Sequence, residues 1–135
     1  MNVPLLKKVG QAIMAEPRWF DMTWWIDTTS DKAPCGTTAC IGGFAILLSK
    51  IKGRLTEKTW ATTANKIPQK SYMPRYTATV LLDLDKDQAF RLFDINHWPY
   101  KFTVAYQAAD RPERRAKAAA DRIEFFIQTN GTDVG

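Results

Sequence analysis

The residues best placed to do chemistry lie in one run, Cys35-Gly36-Thr37-Thr38-Ala39-Cys40-Ile41-Gly42-Gly43. A turn at Gly36 followed by Thr37 or Thr38 as N-cap predicts the start of an apolar helix. The first amides of such a helix have no partner inside it and sit at the positive end of its dipole, so an anion is held there readily. The two threonine hydroxyls would add donors. The run lacks the Gly-Lys-Ser/Thr ending of a phosphate-binding P-loop, and no strand pattern precedes it as a dinucleotide fold requires. The plainer alternative is a capped core helix with both cysteines as small buried residues.

A thiol at a helix N-terminus gains thiolate character, which makes Cys35 a candidate nucleophile. His97 is the one histidine; it could act as base, with Asp94 as its orienter. The competing role for His97 is local capping ahead of Trp98-Pro99. Structural zinc needs four ligands, and Cys35, Cys40 and His97 do not supply them, so neither a metal nor a cofactor is expected. Two cysteines are too few for a disulfide scaffold, and a cytoplasmic setting with reduced thiols follows. Asp83-x-Asp85-x-Asp87 imitates the opening of a calcium loop, but Gln88 stands where that loop needs glycine and Asp94 where it needs glutamate. These acids read as caps and surface charge.

Charge is unevenly distributed. Seven basic residues (Lys50, Lys52, Arg54, Lys58, Lys66, Lys70, Arg75) face one acid, Glu57, between positions 50 and 76. That segment carries +6 of a total of +5, so the rest of the chain sums to −1. Such a concentration favours an anionic partner, a nucleotide or a nucleic acid, over a neutral one. A second basic cluster is Arg111, Arg114, Arg115, Lys117 and Arg122. The five tryptophans include the adjacent pair Trp24 and Trp25, which cannot both face a core from regular structure, and Trp98 beside His97. An exposed indole near cations can stack a base while the cations hold phosphate. The candidate ligand-binding set is therefore Trp24, Trp25, Gly36, Thr37, Thr38, Lys66, Lys70, Arg75, His97 and Trp98.

The elements that must position these groups are legible from periodicity. With 135 residues, 45% of them hydrophobic, the chain has the size of one domain with a single core. Leu6, Val9 and Ile13 mark one face of a helix that has Pro4 near its start and Pro17 beyond its end. Residues 38–51 are apolar nearly all round and predict a central, buried helix. Residues 52–76 predict a long basic loop with room for a short strand or hairpin. Val80, Leu81 and Leu84 belong to a short helix over 77–84. Asp85 and Gln88 form a capping box for the next. Pro99 opens a fifth helix, although the alternation of Phe102, Val104 and Tyr106 also suits a strand. Pro112 and Gly131 bracket the last, whose inner stripe is Ala116, Ala119, Ala120, Ile123, Phe126 and Ile127. The expected fold is all-α, six helices in a single domain over 1–135, with residues 132–135 fraying. No apolar run approaches the ~20 residues of a membrane span, and Lys7 and Lys8 are not followed by the apolar stretch and cleavage site of a signal peptide.

Pro17-x-x-Phe20-Asp21-Met22-x-x-Trp25, then Cys35-Gly36-Thr37-x-x-Cys40-Ile41-x-Gly43-x-Ala45, then Leu81-Leu82-x-Leu84, Ala89-x-x-Leu92-Phe93 and Trp98-Pro99, together resemble a group of small proteins of bacteria and their phages that has no settled activity. The likeness spans most of the chain, with the Cys-Gly-Thr-x-x-Cys run as its specific core. The chain departs from it at Phe44, where Trp or His is common, and in the basic insert at 52–76. The resemblance implies an all-α fold and a phage-type setting, hence the host cytoplasm, and it transfers no catalytic role. A phage-type protein of this size, with a basic flank, spare aromatics and a helix N-terminus, is built like the sequestering proteins that counter host defence by holding a signal rather than destroying it. The expected function is thus a non-enzymatic binding protein for a small anionic, nucleotide-type ligand. The alternatives are nucleic-acid binding through 50–76, a Cys35/His97 thiol-dependent hydrolase, and a protein inhibitor anchored by its tryptophans.

Overall fold

Asn2 starts the first helix: its side-chain oxygen accepts the amide of Leu5 at 3.2 Å. The computed structural model describes residues 1–22, 26–27, 38–49, 53–56, 59–62 and 74–134. Over these, the fold is all-α. Helix α1 runs Val3–Ala15, α2 Ile41–Leu48, α3 Pro74–Leu81, α4 Lys86–Phe93, α5 Tyr100–Gln107 and α6 Pro112–Gln128. Single 3-10 turns at Pro17–Trp19 and Ile95–His97 carry the chain out of α1 and into α5. Two antiparallel ribbons complete the description, β1 (Ile26–Asp27) with β2 (Thr38–Ala39), and β3 (Gly53–Thr56) with β4 (Thr59–Thr62). No helix among the described residues is long and apolar enough to cross a membrane.

The core follows the predicted face of α1. Leu6, Val9 and Ile13 of α1 are fully buried, each contributing about 1.5–3 kcal/mol by leaving water. Helix α2 is buried without interruption from Ile41 to Ile46 and packs against α1, α3 and α4. Asp85 and Gln88 form the expected capping box at the start of α4, with bonds of 2.8 and 3.0 Å. Residues 100–107 are helical rather than extended: Pro99 sets the first turn, and Phe102 is the residue that α5 buries.

Four expectations are corrected. The helix expected over 38–51 is Ile41–Leu48, because Thr38 and Ala39 pair with Asp27 and Ile26 in extended conformation and the helix cannot begin until they end. The stretch expected as a loop over 52–76 holds the hairpin for which it had room, β3–β4 with Leu55 opposite Trp60, but from Pro74 it belongs to α3. Helix α3 runs from Pro74 to Leu81 rather than over 77–84, since proline fits a first helical turn; Leu84 lies beyond its end, Val80 is exposed, and Leu82 is buried. Residues 132–134 are not frayed. Gly131, at φ +74°, closes α6 by donating its amide to the Phe126 carbonyl at 2.8 Å and accepts from Arg91 of α4, and beyond it Asp133 turns back onto Arg122 of α6.

Candidate functional site

The start of α2 is where the sequence places its anion site. Its N-cap is Cys40, in extended conformation and without a side-chain cap bond, and not a threonine. Cys40 is buried. Burial pushes its thiol up to about 11, opposed in part by the amides of Gly43 and Gly42 and reinforced by the charge of Asp21. A thiol held protonated in this way is not a nucleophile at neutral pH.

Beneath this helix start, groups from four elements converge. Asp21, 9% exposed, lies beyond the first 3-10 turn. The next residue, Met22, donates its amide to the Tyr106 hydroxyl of α5 at 3.0 Å. Burial raises the Tyr106 pKa; the Met22 amide lowers it, the charge of Asp21 raises it and that of Arg115 on α6 lowers it. Tyr106 therefore remains a phenol at neutral pH. Its ring stands edge-on to Phe20 at 6.1 Å and to Trp98 at 5.8 Å, and Phe20 meets Phe44 of α2 at 6.3 Å. Asp21 is legible in the sequence only through the Phe20-Asp21-Met22 pattern, and nothing local marks Tyr106 as its neighbour.

The predicted ligand residues divide into three groups. Trp24, Trp25, Gly36, Thr37, Lys66 and Lys70, and with them Cys35, lie outside the described residues. Thr38 sits on β2 opposite Asp27, and Arg75 in the first turn of α3. Trp98 is a core residue, 4% exposed, with its indole N–H donated to the Leu92 carbonyl at 2.9 Å, so it has no open face for stacking. His97 is exposed, and its Nδ1 lies 3.1 Å from the Asp94 carboxylate while its ring abuts Phe90 at 5.8 Å. The structure thus joins His97 to the orienter proposed for it.

Four of the five residues of the second basic cluster are paired with acids, two of them sharing one. Arg114 and Arg111 reach Asp110 at 3.3 and 3.7 Å, and Lys117 reaches Asp121 at 2.5 Å. Arg122 is fully buried against Asp133. Among the described residues no group of three His, Cys, Asp or Glu side chains could hold a metal ion. Comparison of the chain with protein-family models, curated proteins and solved structures finds no match.

Proposed function

We propose that this protein binds, without transforming, a small anionic ligand of nucleotide type, and that it belongs to the phage proteins that sequester a signalling nucleotide to counter host defence. The observation that carries the reading is the distribution of charge. In the second basic cluster Arg111 and Arg114 share Asp110, Lys117 pairs with Asp121 and Arg122 with Asp133, three acids for four cations. The +6 of residues 50–76 has one acid, Glu57, within its own segment. Charge-assisted contacts to phosphate are the interaction such a segment is suited to make.

A second reading is a thiol-dependent hydrolase with Cys35 as nucleophile, favoured by the contact of His97 with Asp94. One experiment separates the two. The protein is screened by native mass spectrometry against cyclic and linear nucleotides. The ligand found is then incubated overnight with excess protein, released by denaturation and chromatographed. Recovery of the parent compound supports sequestration. Conversion that disappears in Cys35→Ala or His97→Ala makes the protein an enzyme. Retention of oligonucleotides alone makes it a nucleic-acid binder.

A further inference from the structure

We infer that the groove between α1 and α6 is a second binding site, for a small apolar molecule carrying one anionic group, such as a short-chain carboxylate. The groove encloses about 660 Å³, within the range of small-molecule sites. Its apolar lining includes Gly10 from α1 and Ala120, Ile123 and Ile127 from α6. Two of these, Ala120 and Ile127, belong to the inner stripe of α6 by spacing, yet both are only partly buried. The stripe is wider than the surface that covers it.

Gly10 carries the argument further. Glycine inside a helix weakens it relative to alanine. It is tolerated where two helices approach too closely for a side chain, but that is not the case here. A Cβ on Gly10 would meet Ile123 at 3.9 Å, an ordinary contact. Packing does not require the glycine, and a larger side chain at this position would occupy the groove beside Ile123. The missing side chain keeps the groove open at the expense of the helix.

The rim supplies the polarity of the ligand. Lys7 lines the groove and has no acidic partner among the described residues. Glu124, the acid on the opposite wall, accepts the side-chain amide of Gln128 at 3.4 Å. Glu124 also stands in the field of the Lys117 ammonium on its own helix, whereas the Lys7 ammonium has no acid paired with it among the described residues, and it matches a carboxylate on an apolar body.

The test uses octanoate, octanol and octylamine as probes, read by the amide signals of Gly10 and Ile123 in nuclear magnetic resonance titrations. Octanoate is expected to shift both saturably and to bind more tightly than the alcohol or the amine. Lys7→Gln should weaken octanoate by about tenfold and leave octanol unchanged. Gly10→Leu should abolish binding of both while the protein still melts cooperatively; Ala120→Leu serves the same purpose if Gly10→Leu fails to fold. Absence of saturable shifts at these amides, undiminished binding in the filled variants, or a preference for the amine would overturn the inference. So would the same shifts appearing on concentrating the protein alone, which would make a second copy the occupant.

Discussion

Arg122 and Asp133 form a bidentate pair within the fold, Nη1 to Oδ1 at 2.6 Å and Nη2 to Oδ2 at 2.8 Å. The guanidinium is fully buried; it also donates to the Arg91 carbonyl at 2.9 Å and lies over the Phe126 ring. Burial lowers the Arg122 pKa and the Asp133 carboxylate raises it again. Removing the carboxylate would strand a buried cation. Asp133→Ala should therefore destabilise the protein by about 3–5 kcal/mol in urea unfolding. Replacing both partners with apolar residues, Arg122→Met with Asp133→Leu, should cost much less than Asp133→Ala alone. A double variant as unstable as the single one would show that the pair is not what the tail contributes.

The buried thiol makes stability fall in mild alkali. The Cys40 pKa is raised from 9.0 to about 11 in the folded state, so the folded chain retains a proton that the unfolded chain releases. Between these values unfolding is favoured progressively as pH rises, by about 2–3 kcal/mol for a shift of this size. Chemical denaturation at pH 8 and pH 11 should show this slope, and Cys40→Ala should flatten it by that amount. An equal slope in wild type and variant would mean that other groups, Tyr106 first among them, carry the alkaline loss.

Gly131 is fixed by two independent demands. Its φ of +74° disfavours any side chain, and a Cβ there would lie 2.6 Å from the Gln88 side-chain nitrogen. Gly131→Ala should cost about 1–3 kcal/mol in thermal unfolding. Since Gln88 also closes the capping box of α4, displacing it loosens that helix too. Combining Gly131→Ala with Gln88→Ala should be less destabilising than the sum of the two, because each already disturbs the same contact.

Neutralising Lys66, Lys70 and Arg75 together should weaken nucleotide binding and reduce its salt dependence without unfolding the chain. Removing one charge-assisted bond to phosphate should weaken binding by about 1.5–3 kcal/mol. Titration calorimetry at two salt concentrations measures both effects. Unchanged affinity in the triple variant would move the anion site away from this segment.

What the sequence reveals here is local. Helices α1, α4 and α6 are legible because their faces repeat with the helical period and their ends carry Pro4, Asp85 and Gly131, residue types whose effect on a helix end acts within a few positions. The start of α2 is not, because Thr38 looks like a cap and is instead held in a two-residue ribbon by Ile26-Asp27, a dozen residues away. The burial of Arg122 is not legible for a related reason. Its spacing, three after Ala119 and four before Phe126, puts it on the buried stripe, but a charged residue is assigned to the surface unless its partner is known. That partner, Asp133, lies in the segment expected to fray. The convergence of Asp21, Cys40 and Tyr106 depends on contacts across the fold, which no periodicity encodes.

The side chain of Asn2 joins the ends of two helices. Its oxygen caps α1 through Leu5, while its nitrogen donates to the Leu81 carbonyl at the end of α3 at 3.0 Å, and its own amide reaches Leu82 at 2.7 Å. Residues separated by some 80 positions in the chain therefore share one fastening. The first turn of α1 cannot fray without releasing the last turn of α3, so the amides of both should exchange with solvent as a single unit rather than as two independent helix ends. During synthesis, the cap of the first helix gains its full set of bonds only after the third has emerged.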